Sequence, residues 1–157
     1  MASYKNLLQQ ETKFIRKWCS TTEGVKLRKL TSRYEYYDFT MEYESSIGLV
    51  EAKLRHLSYE NIKEGGIILE VEKWSKILSK TAKLKDDPKY KHMNFQPYYL
   101  ISFIDKTFLF QLDDLTNIRT SIELLPNHTA IDTKNKYIFK PVVYLFEEDA
   151  KIITKNP

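Results

Sequence analysis

The sequence carries a charged pair, Glu51 and Lys53, inside the mostly aliphatic run of residues 47–55 (IGLVEAKLR). Side chains alternate between the two faces of a β-strand. Glu51 and Lys53 therefore share one face, whereas Val50 and Ala52 share the other. A carboxylate and an ammonium group on one face of an apolar strand raise the question of what they contact.

A second carboxylate, Asp38, lies in the preceding stretch, residues 34–43 (YEYYDFTMEY), whose pattern predicts another strand. Residues that face each other across an antiparallel pair lie on the same face of the sheet. A hairpin with Glu42 opposite Ile47 places Asp38 opposite Glu51. The hairpin therefore predicts two carboxylates side by side.

The position of Asp38 depends on the register of this hairpin. A shift by one residue would pair Asp38 with Ala52 and turn its side chain to the other face of the sheet. We favour the first register because it gives both strands one apolar face. The residues of that apolar face are Tyr37, Phe39, Met41, Val50, Ala52 and Leu54.

The beginning of the chain predicts an amphipathic helix, with Ser3 as its N-cap and its end at residues 21–24. Its apolar positions, three to four residues apart, are Tyr4, Leu7, Leu8, Phe14, Ile15 and Trp18. Glu11 falls on the same stripe, where a carboxylate is costly unless it is paired or binds an ion. We expect Glu11 either to approach the two strand carboxylates or to reach water at the edge of the stripe.

Two neighbouring carboxylates repel each other unless a cation lies between them. Mg²⁺ takes oxygen ligands, keeps several waters and is usually held by one or two carboxylates together with substrate phosphate oxygens. Lys53 can then hold a water molecule or offset charge on a phosphate. The alternative is a solvated strand face, on which Asp38, Glu51 and Lys53 form ion pairs that contribute little.

The remaining sequence predicts one more helix and several strands, which together indicate a mixed β-sheet with helices packed against it. The second helix covers residues 67–84. Its predicted apolar stripe is Ile67, Val71, Trp74, Leu78 and Ala82. The other predicted elements are a strand over residues 25–33, a polar loop over 85–97, a hairpin of apolar strands over 98–112, a strand over 121–125, a turn over 132–136, and a strand over 137–146 in which Pro141 marks an edge or a bulge.

This order of residues and elements resembles the PD-(D/E)XK nuclease superfamily, and among its small members the archaeal-type Holliday-junction resolvases. The resemblance consists of Glu11 on the first helix, Asp38 on a strand, and the Glu-x-Lys tripeptide 51–53 on the next strand, followed by a helix and further strands. It covers roughly residues 3–112. The family's proline is replaced by Tyr37, the residue before Asp38.

The resemblance implies a restriction-endonuclease-like α/β fold, with a mixed sheet, flanking helices in the order αβββαβ, and a β-rich extension over residues 113–157. It implies Mg²⁺- or Mn²⁺-dependent hydrolysis of DNA phosphodiester bonds, in duplex or branched DNA, by a homodimer. The metal ligands would be Asp38, Glu51 and the Ala52 carbonyl, with Glu11 as an outer ligand. Lys53 would orient or activate the attacking water.

Lysines are densest in the second helix and the loop that follows it. A solvated helix end is the usual explanation, whereas positioning of phosphates is the functional one. The residues predicted to contact DNA are Lys73, Lys76, Lys80, Lys89, Lys91 and Arg55. For Lys73 the alternative is surface charge beside Glu70.

Composition narrows the class of protein. The chain has 157 residues and a net charge of +4, which predicts one folded domain and permits a polyanionic partner without requiring one. Cys19 is the single cysteine, which excludes an intrachain disulfide and favours a cytoplasmic protein. No apolar stretch is long enough to span a membrane.

Two further hypotheses differ from a nuclease. The same fold can act without catalysis, as a nucleic-acid-binding or assembly module, because a fold does not determine an activity. An unrelated α+β interaction protein would place Asp38 and Glu51 on opposite faces.

Overall fold

The computed structural model describes residues 4–31, 35–127 and 136–157. The predicted cap at Ser3 and nearly all of the predicted turn at 132–136 lie outside the described residues. The described helices are α1 (Tyr4–Thr21) and α2 (Val71–Asp86). The described strands are β1 (Lys26–Leu30), β2 (Phe39–Tyr43), β3 (Ser46–Leu54), β4 (Ile67–Glu70), β5 (Phe95–Ser102), β6 (Lys106–Gln111), β7 (Arg119–Pro126), β8 (Tyr137–Leu145) and β9 (Ala150–Lys155).

The larger sheet has six strands in the order β1-β2-β3-β5-β6-β9. β3 and β5 pair in parallel, and the other neighbours pair antiparallel. The parallel step requires a crossover between β3 and β5, and α2 lies within that crossover. A mixed sheet with two helices confirms the predicted mixed α/β fold, with the additional strand β4 between β3 and α2, and β7 to β9 form the predicted β-rich C-terminal part.

Both faces of this sheet are buried at its centre. Val50, Ala52 and Leu100 pack with Ile15 and Trp18 of α1. The residues of opposite parity on the same strands, Leu49, Tyr99 and Ile101, pack in a second cluster that contains Ile77 of α2. This explains the nearly continuous apolar run of β5, since a strand covered on both sides has no polar face. It also corrects the expectation of one apolar face, because the face shared by Leu49 and Glu51 is covered as well.

The predicted helix over residues 67–84 is wrong at its beginning. Ile67–Glu70 form β4, which pairs antiparallel with residues 142–145 of β8 in a three-stranded sheet of order β4-β8-β7. The helix starts at Val71 and buries Ile77 and Thr81, while the predicted stripe residue Ala82 is exposed. Ile67 and Leu69 alternate with period two, a pattern that four residues cannot distinguish from one helical turn.

Two prolines are placed differently from the prediction. Pro97 lies inside β5, which begins at Phe95, and its carbonyl accepts a hydrogen bond from the Leu112 amide at 2.9 Å. Pro141 lies in β8, the middle strand of the smaller sheet, and not in an edge strand. It is accommodated there because the ladder with β4 ends at Val142, the residue that follows it, so Pro141 has no partner in β4.

Candidate active site

The β2–β3 hairpin has the favoured register at every paired residue, from Tyr43 opposite Ser46 to Phe39 opposite Val50. The strand that was predicted to start at residue 34 starts at Phe39, so Asp38 immediately precedes it. The Asp38 amide donates to the Val50 carbonyl at 2.8 Å. Asp38 and Phe39 therefore both lie opposite Val50. Two residues of one strand opposite one residue of the other form a β-bulge.

The bulge determines the direction of the Asp38 side chain. Its Oδ2 accepts a hydrogen bond from the Ala52 backbone amide at 2.7 Å, whereas the hairpin pattern predicted a position directly opposite Glu51. Tyr37, predicted to lie with Phe39 on one face, packs with the opposite cluster. The alternation is therefore broken at Asp38, and a side-chain hydrogen bond to backbone replaces the next pair of the ladder.

Asp38 and the tripeptide 51–53 line one cleft of about 560 Å³ together with Glu11 and Lys73. α1 supplies Glu11, β3 supplies the tripeptide, and the first turn of α2 supplies Lys73. The structure therefore brings together all four residues predicted to be catalytic. Arg55, two residues after Lys53, also lines the cleft.

The carboxyl group of Asp38 has a strongly perturbed pKa, raised to about 8. Burial is the largest cause, followed by the negative charge of Glu51, while that of Glu11 adds a smaller effect. The Ala52 amide and the Lys73 charge act in the opposite direction without compensating. Asp38 is consequently a carboxyl group that holds its proton near neutral pH unless a cation approaches it.

Glu51 is held by an ion pair that the sequence did not predict. Lys73 Nζ donates to Glu51 Oε1 at 2.8 Å, and the Glu51 side chain is only 17% exposed. Burial lowers the pKa of Lys73, but the charge of Glu51 and this hydrogen bond outweigh burial and raise it. The suggested surface pairing of Lys73 with Glu70 is replaced, since Glu70 pairs with Lys140 at 3.2 Å.

Lys53 differs from Lys73 in having no salt bridge to any carboxylate of the described residues. Burial lowers the pKa of Lys53, and the positive charges of Arg55 and Lys73 lower it further, against the influence of Glu11 and Glu51. Burial also raises the pKa of Glu11, as does Glu51. The cleft thus contains an ammonium group whose hydrogen-bond donors are available to a ligand.

The carboxylates suit a hard cation in their chemistry, but they do not form a complete protein site. Within the described ranges, no three or more His, Cys, Asp or Glu side chains converge closely enough to hold a metal ion. Mg²⁺ requires only one or two carboxylates when waters and phosphate oxygens complete its shell. Asp38 and Glu51 fit that requirement, because the repulsion between them and the raised pKa of Asp38 indicate missing positive charge.

The residues predicted to contact DNA fall into two groups. Lys73, Lys76 and Lys80 lie within 4.0 Å of the carboxylates of Glu51, Glu72 and Glu35. Arg55, Lys89 and Lys91 are exposed, and Lys89 Nζ lies 5.2 Å from the centroid of the Tyr90 ring. Half of this set is therefore already paired within the protein.

The sequence did not predict the exposed cations of α1 and β1 as DNA contacts. Five of them make no salt bridge within the described part of the chain: Lys13, Arg16, Lys17, Arg28 and Lys29. The first three are spaced i, i+3 and i+4, which places them on one side of α1. That spacing is visible in the sequence.

Neither helix in the described ranges is long and apolar enough to cross a membrane. No family model matches the sequence, and no curated protein is significantly similar to it. Among solved structures, the fold is similar to that of Hjc, a Holliday junction resolvase from the archaeal hyperthermophile Archaeoglobus fulgidus. The TM-score is 0.46 and the identity 11%, over 70% of this chain and 79% of that chain. The chemistry of the site is therefore inferred from its own residues.

The first prediction concerns the pH dependence of stability. The raised pKa of Asp38 means that the folded protein binds a proton more tightly than the unfolded chain. Its contribution to the unfolding free energy is complete below the unfolded pKa near 4 and is lost as pH rises towards about 8. Asp38→Asn keeps the acceptor for the Ala52 amide and removes the charge, so it should be more stable than wild type by about 2 kcal/mol at pH 8.

Urea unfolding at about pH 5 and pH 8 measures this difference, with the exposed Asp86→Asn as a matched control. The gain of Asp38→Asn over wild type should grow between the two pH values, whereas Asp86→Asn should follow wild type. Parallel pH profiles for wild type and Asp38→Asn would show that Asp38 titrates normally.

Proposed function

We propose that the protein is a metal-dependent nuclease that hydrolyses phosphodiester bonds in DNA, with branched or duplex DNA as its substrate. The observation that carries this proposal is the convergence of Asp38, Glu51 and the unpaired Lys53 in one cleft. The motif resemblance supports it, since these are the positions that match Asp and Glu-x-Lys. Action as a cytoplasmic homodimer is part of the proposal, because the two strands of a duplex need two sites.

Asp38 and Glu51 would hold Mg²⁺ or Mn²⁺, with the Ala52 carbonyl as a further oxygen ligand and Glu11 as an outer one. A bound divalent ion would act as a Lewis acid on the phosphate and favour ionisation of a water nucleophile. The protein itself has to hold the two carboxylates in position. The hydrogen bond between the Ala52 amide and Asp38 fixes one carboxylate, and the Lys73 ion pair fixes the other.

Lys53 is the residue that we assign to water or phosphate. Its ammonium group is partly desolvated, which lowers its pKa and strengthens its hydrogen bonds to an anionic partner. Glu11, whose charge acts on Lys53, can orient it towards the cleft. Lys73 has a different task, because its charge offsets that of Glu51.

The second prediction tests activity. Glu51→Gln removes a negative charge at constant size, and Lys53→Met keeps the aliphatic stem and removes the ammonium group. Each change should lower the rate of plasmid or branched-DNA cleavage in Mg²⁺ or Mn²⁺ by at least about 100-fold. Glu72→Gln, at an exposed residue of α2 that pairs with Lys76, is the control and should cleave at the wild-type rate.

Cleavage by wild type that persists in both Glu51→Gln and Lys53→Met would rule out this cleft as the active site. Faster cleavage of a four-way junction than of a linear duplex of the same sequence would support a structure-selective enzyme. Equal rates on the two substrates would favour a general duplex nuclease.

The third prediction couples metal binding to a proton. A carboxyl group with a pKa of about 8 is mostly protonated at pH 7, and it must ionise to bind an ion. Binding of Mn²⁺ should therefore release about one proton and tighten roughly tenfold between pH 6 and pH 7. Calorimetry in two buffers of different ionisation enthalpy measures the released proton.

Asp38→Asn should bind Mn²⁺ more weakly and release no proton, whereas Asp86→Asn should behave as wild type. Proton release that is unchanged in Asp38→Asn would assign the titrating group to another residue. Absence of Mn²⁺ and Mg²⁺ binding in wild type, together with salt-dependent DNA binding, would favour the non-catalytic nucleic-acid-binding module. The Lys73–Glu51 ion pair is the observation that favours this second function, because it already supplies Glu51 with a cation.

The fourth prediction locates the phosphate contacts. Cations without a carboxylate partner can neutralise DNA phosphates at no cost in broken ion pairs, so we assign backbone contacts to Lys13, Arg16 and Lys17. Their replacement by Gln should weaken binding to all DNA sequences alike. It should also reduce the slope of log affinity against log salt concentration by about 2 to 3.

The control removes the same charge elsewhere, by replacing Lys63, Lys136 and Lys155, all exposed, with Gln. Binding by this control should stay close to that of wild type. An equal loss of affinity in the two triple variants would mean that only the net charge matters. A larger loss of affinity in a variant with both Lys89 and Lys91 replaced would instead place the DNA along the loop after the second helix.

A further inference from the structure

The β7–β8 hairpin exposes a continuous apolar face. Its cross-strand pairs include Ile122 with Pro141, Leu124 with Phe139, and Pro126 with Tyr137. Directly opposed residues lie on the same face of a sheet, so these six side chains form one surface. All six are exposed, up to 72% for Phe139 and 65% for Ile122. We call this surface the hairpin face.

The hairpin face continues the hydrophobic core of the protein. Along β8, Val143 and Leu145 have the same parity as Phe139 and Pro141, and both are buried in the cluster that contains Ile77. β4 pairs with β8 only as far as Val142, and the exposed residues of β8 lie beyond the end of that ladder. Beyond that point the same face runs on without any described element over it. The residues on it are therefore of core type in an uncovered position.

The size of this surface is that of the largest apolar patches on monomers, which are often functional. Its four large side chains, Ile122, Leu124, Tyr137 and Phe139, are each more than half exposed. With roughly 150–250 Å² for a whole aromatic residue, they expose about 500 Å² per copy. Two copies would bury about 1,000 Å² before the rim is counted, which is where specific protein interfaces begin. Tyr and Phe are also enriched at such interfaces.

We propose that the hairpin face is the contact between two copies of this chain. A two-fold interface brings each patch against itself, so a charged patch would repel its own copy. The hairpin face has no charged side chain among its six residues and is therefore compatible with itself. Pro126 at the end of the outer strand β7 discourages growth through its edge, which favours packing of face on face. This inference locates the homodimer contact of the proposed function, and the apolar face on which it rests does not depend on nuclease activity.

The fifth prediction tests this contact by sedimentation equilibrium between about 1 and 200 μM. Wild type should form a dimer, and Phe139→Glu and Leu124→Glu should each raise its dissociation constant by at least about 30-fold. Ile104→Glu is the matched control, because Ile104 is 61% exposed and lies between β5 and β6. It should leave the dimer unchanged. All three positions are exposed, so circular dichroism should show the same fold.

A cross-link identifies the surface directly. Cys19 is the single cysteine of the chain and is buried, so Leu124→Cys introduces a selectively reactive thiol. A short bis-maleimide should join two Leu124→Cys chains and should not join two Ile104→Cys chains. A monomeric wild type at the highest concentration would overturn the proposal, as would a dimer that survives both glutamate variants. Binding of monomeric wild type to phosphatidylcholine–phosphatidylglycerol vesicles that Phe139→Glu abolishes would also overturn it, in favour of a lipid surface. Glu51→Gln should dimerise as wild type does, which separates this result from any failure of the nuclease proposal.

Discussion

The hydrogen bond from the Ala52 amide to the Asp38 carboxylate is the contact on which the cleft depends. It replaces the next pair of the β2–β3 ladder and directs an acidic side chain towards Glu51. A ladder that continued regularly would have satisfied the same backbone amide with a carbonyl and placed Asp38 opposite Glu51 without this hydrogen bond to hold its carboxylate. The bulge instead keeps Asp38 where burial and two nearby carboxylates raise its pKa. The local backbone irregularity and the electrostatics of the cleft therefore have one cause.

Much of the hairpin could be predicted because strand alternation links register to burial. With Glu42 opposite Ile47, both strands place their buried residues together, and the structure has that register from Phe39 to Tyr43. The bulge at Asp38 could not be predicted in the same way. Its stability comes from one side-chain hydrogen bond at the end of a strand, and a period-two pattern contains no information about such a contact. The predicted direction of the Tyr37 side chain was wrong for the same reason.

The role of Lys73 depended on an element boundary that the apolar pattern could not locate. A helix starting at residue 67 would place Lys73 in its second turn, whereas α2 starts at Val71 and Lys73 lies in its first turn. The first turn of a helix has unpaired amides and a partial positive charge, which favours a nearby carboxylate such as Glu51. Because Ile67–Glu70 pair as a strand, the helix begins four residues later, and Lys73, which pairs with Glu51, lies in its first turn. A short apolar run is compatible with a helix or a strand, and pairing with another strand decides which of them forms.

The smaller sheet and the cleft meet where β4 joins α2. β4 runs directly into α2, and the ion pair between Glu70 and Lys140 joins the last residue of β4 to β8. Lys73 follows three residues after Glu70, so the strand that carries the hairpin face and the helix that holds Glu51 are anchored at the same point. A pair of copies joined through the hairpin face would therefore fix the separation and orientation of two clefts through two short, hydrogen-bonded connections. For a duplex with two strands to be cut, that fixed separation is the property that would set the distance between the cuts.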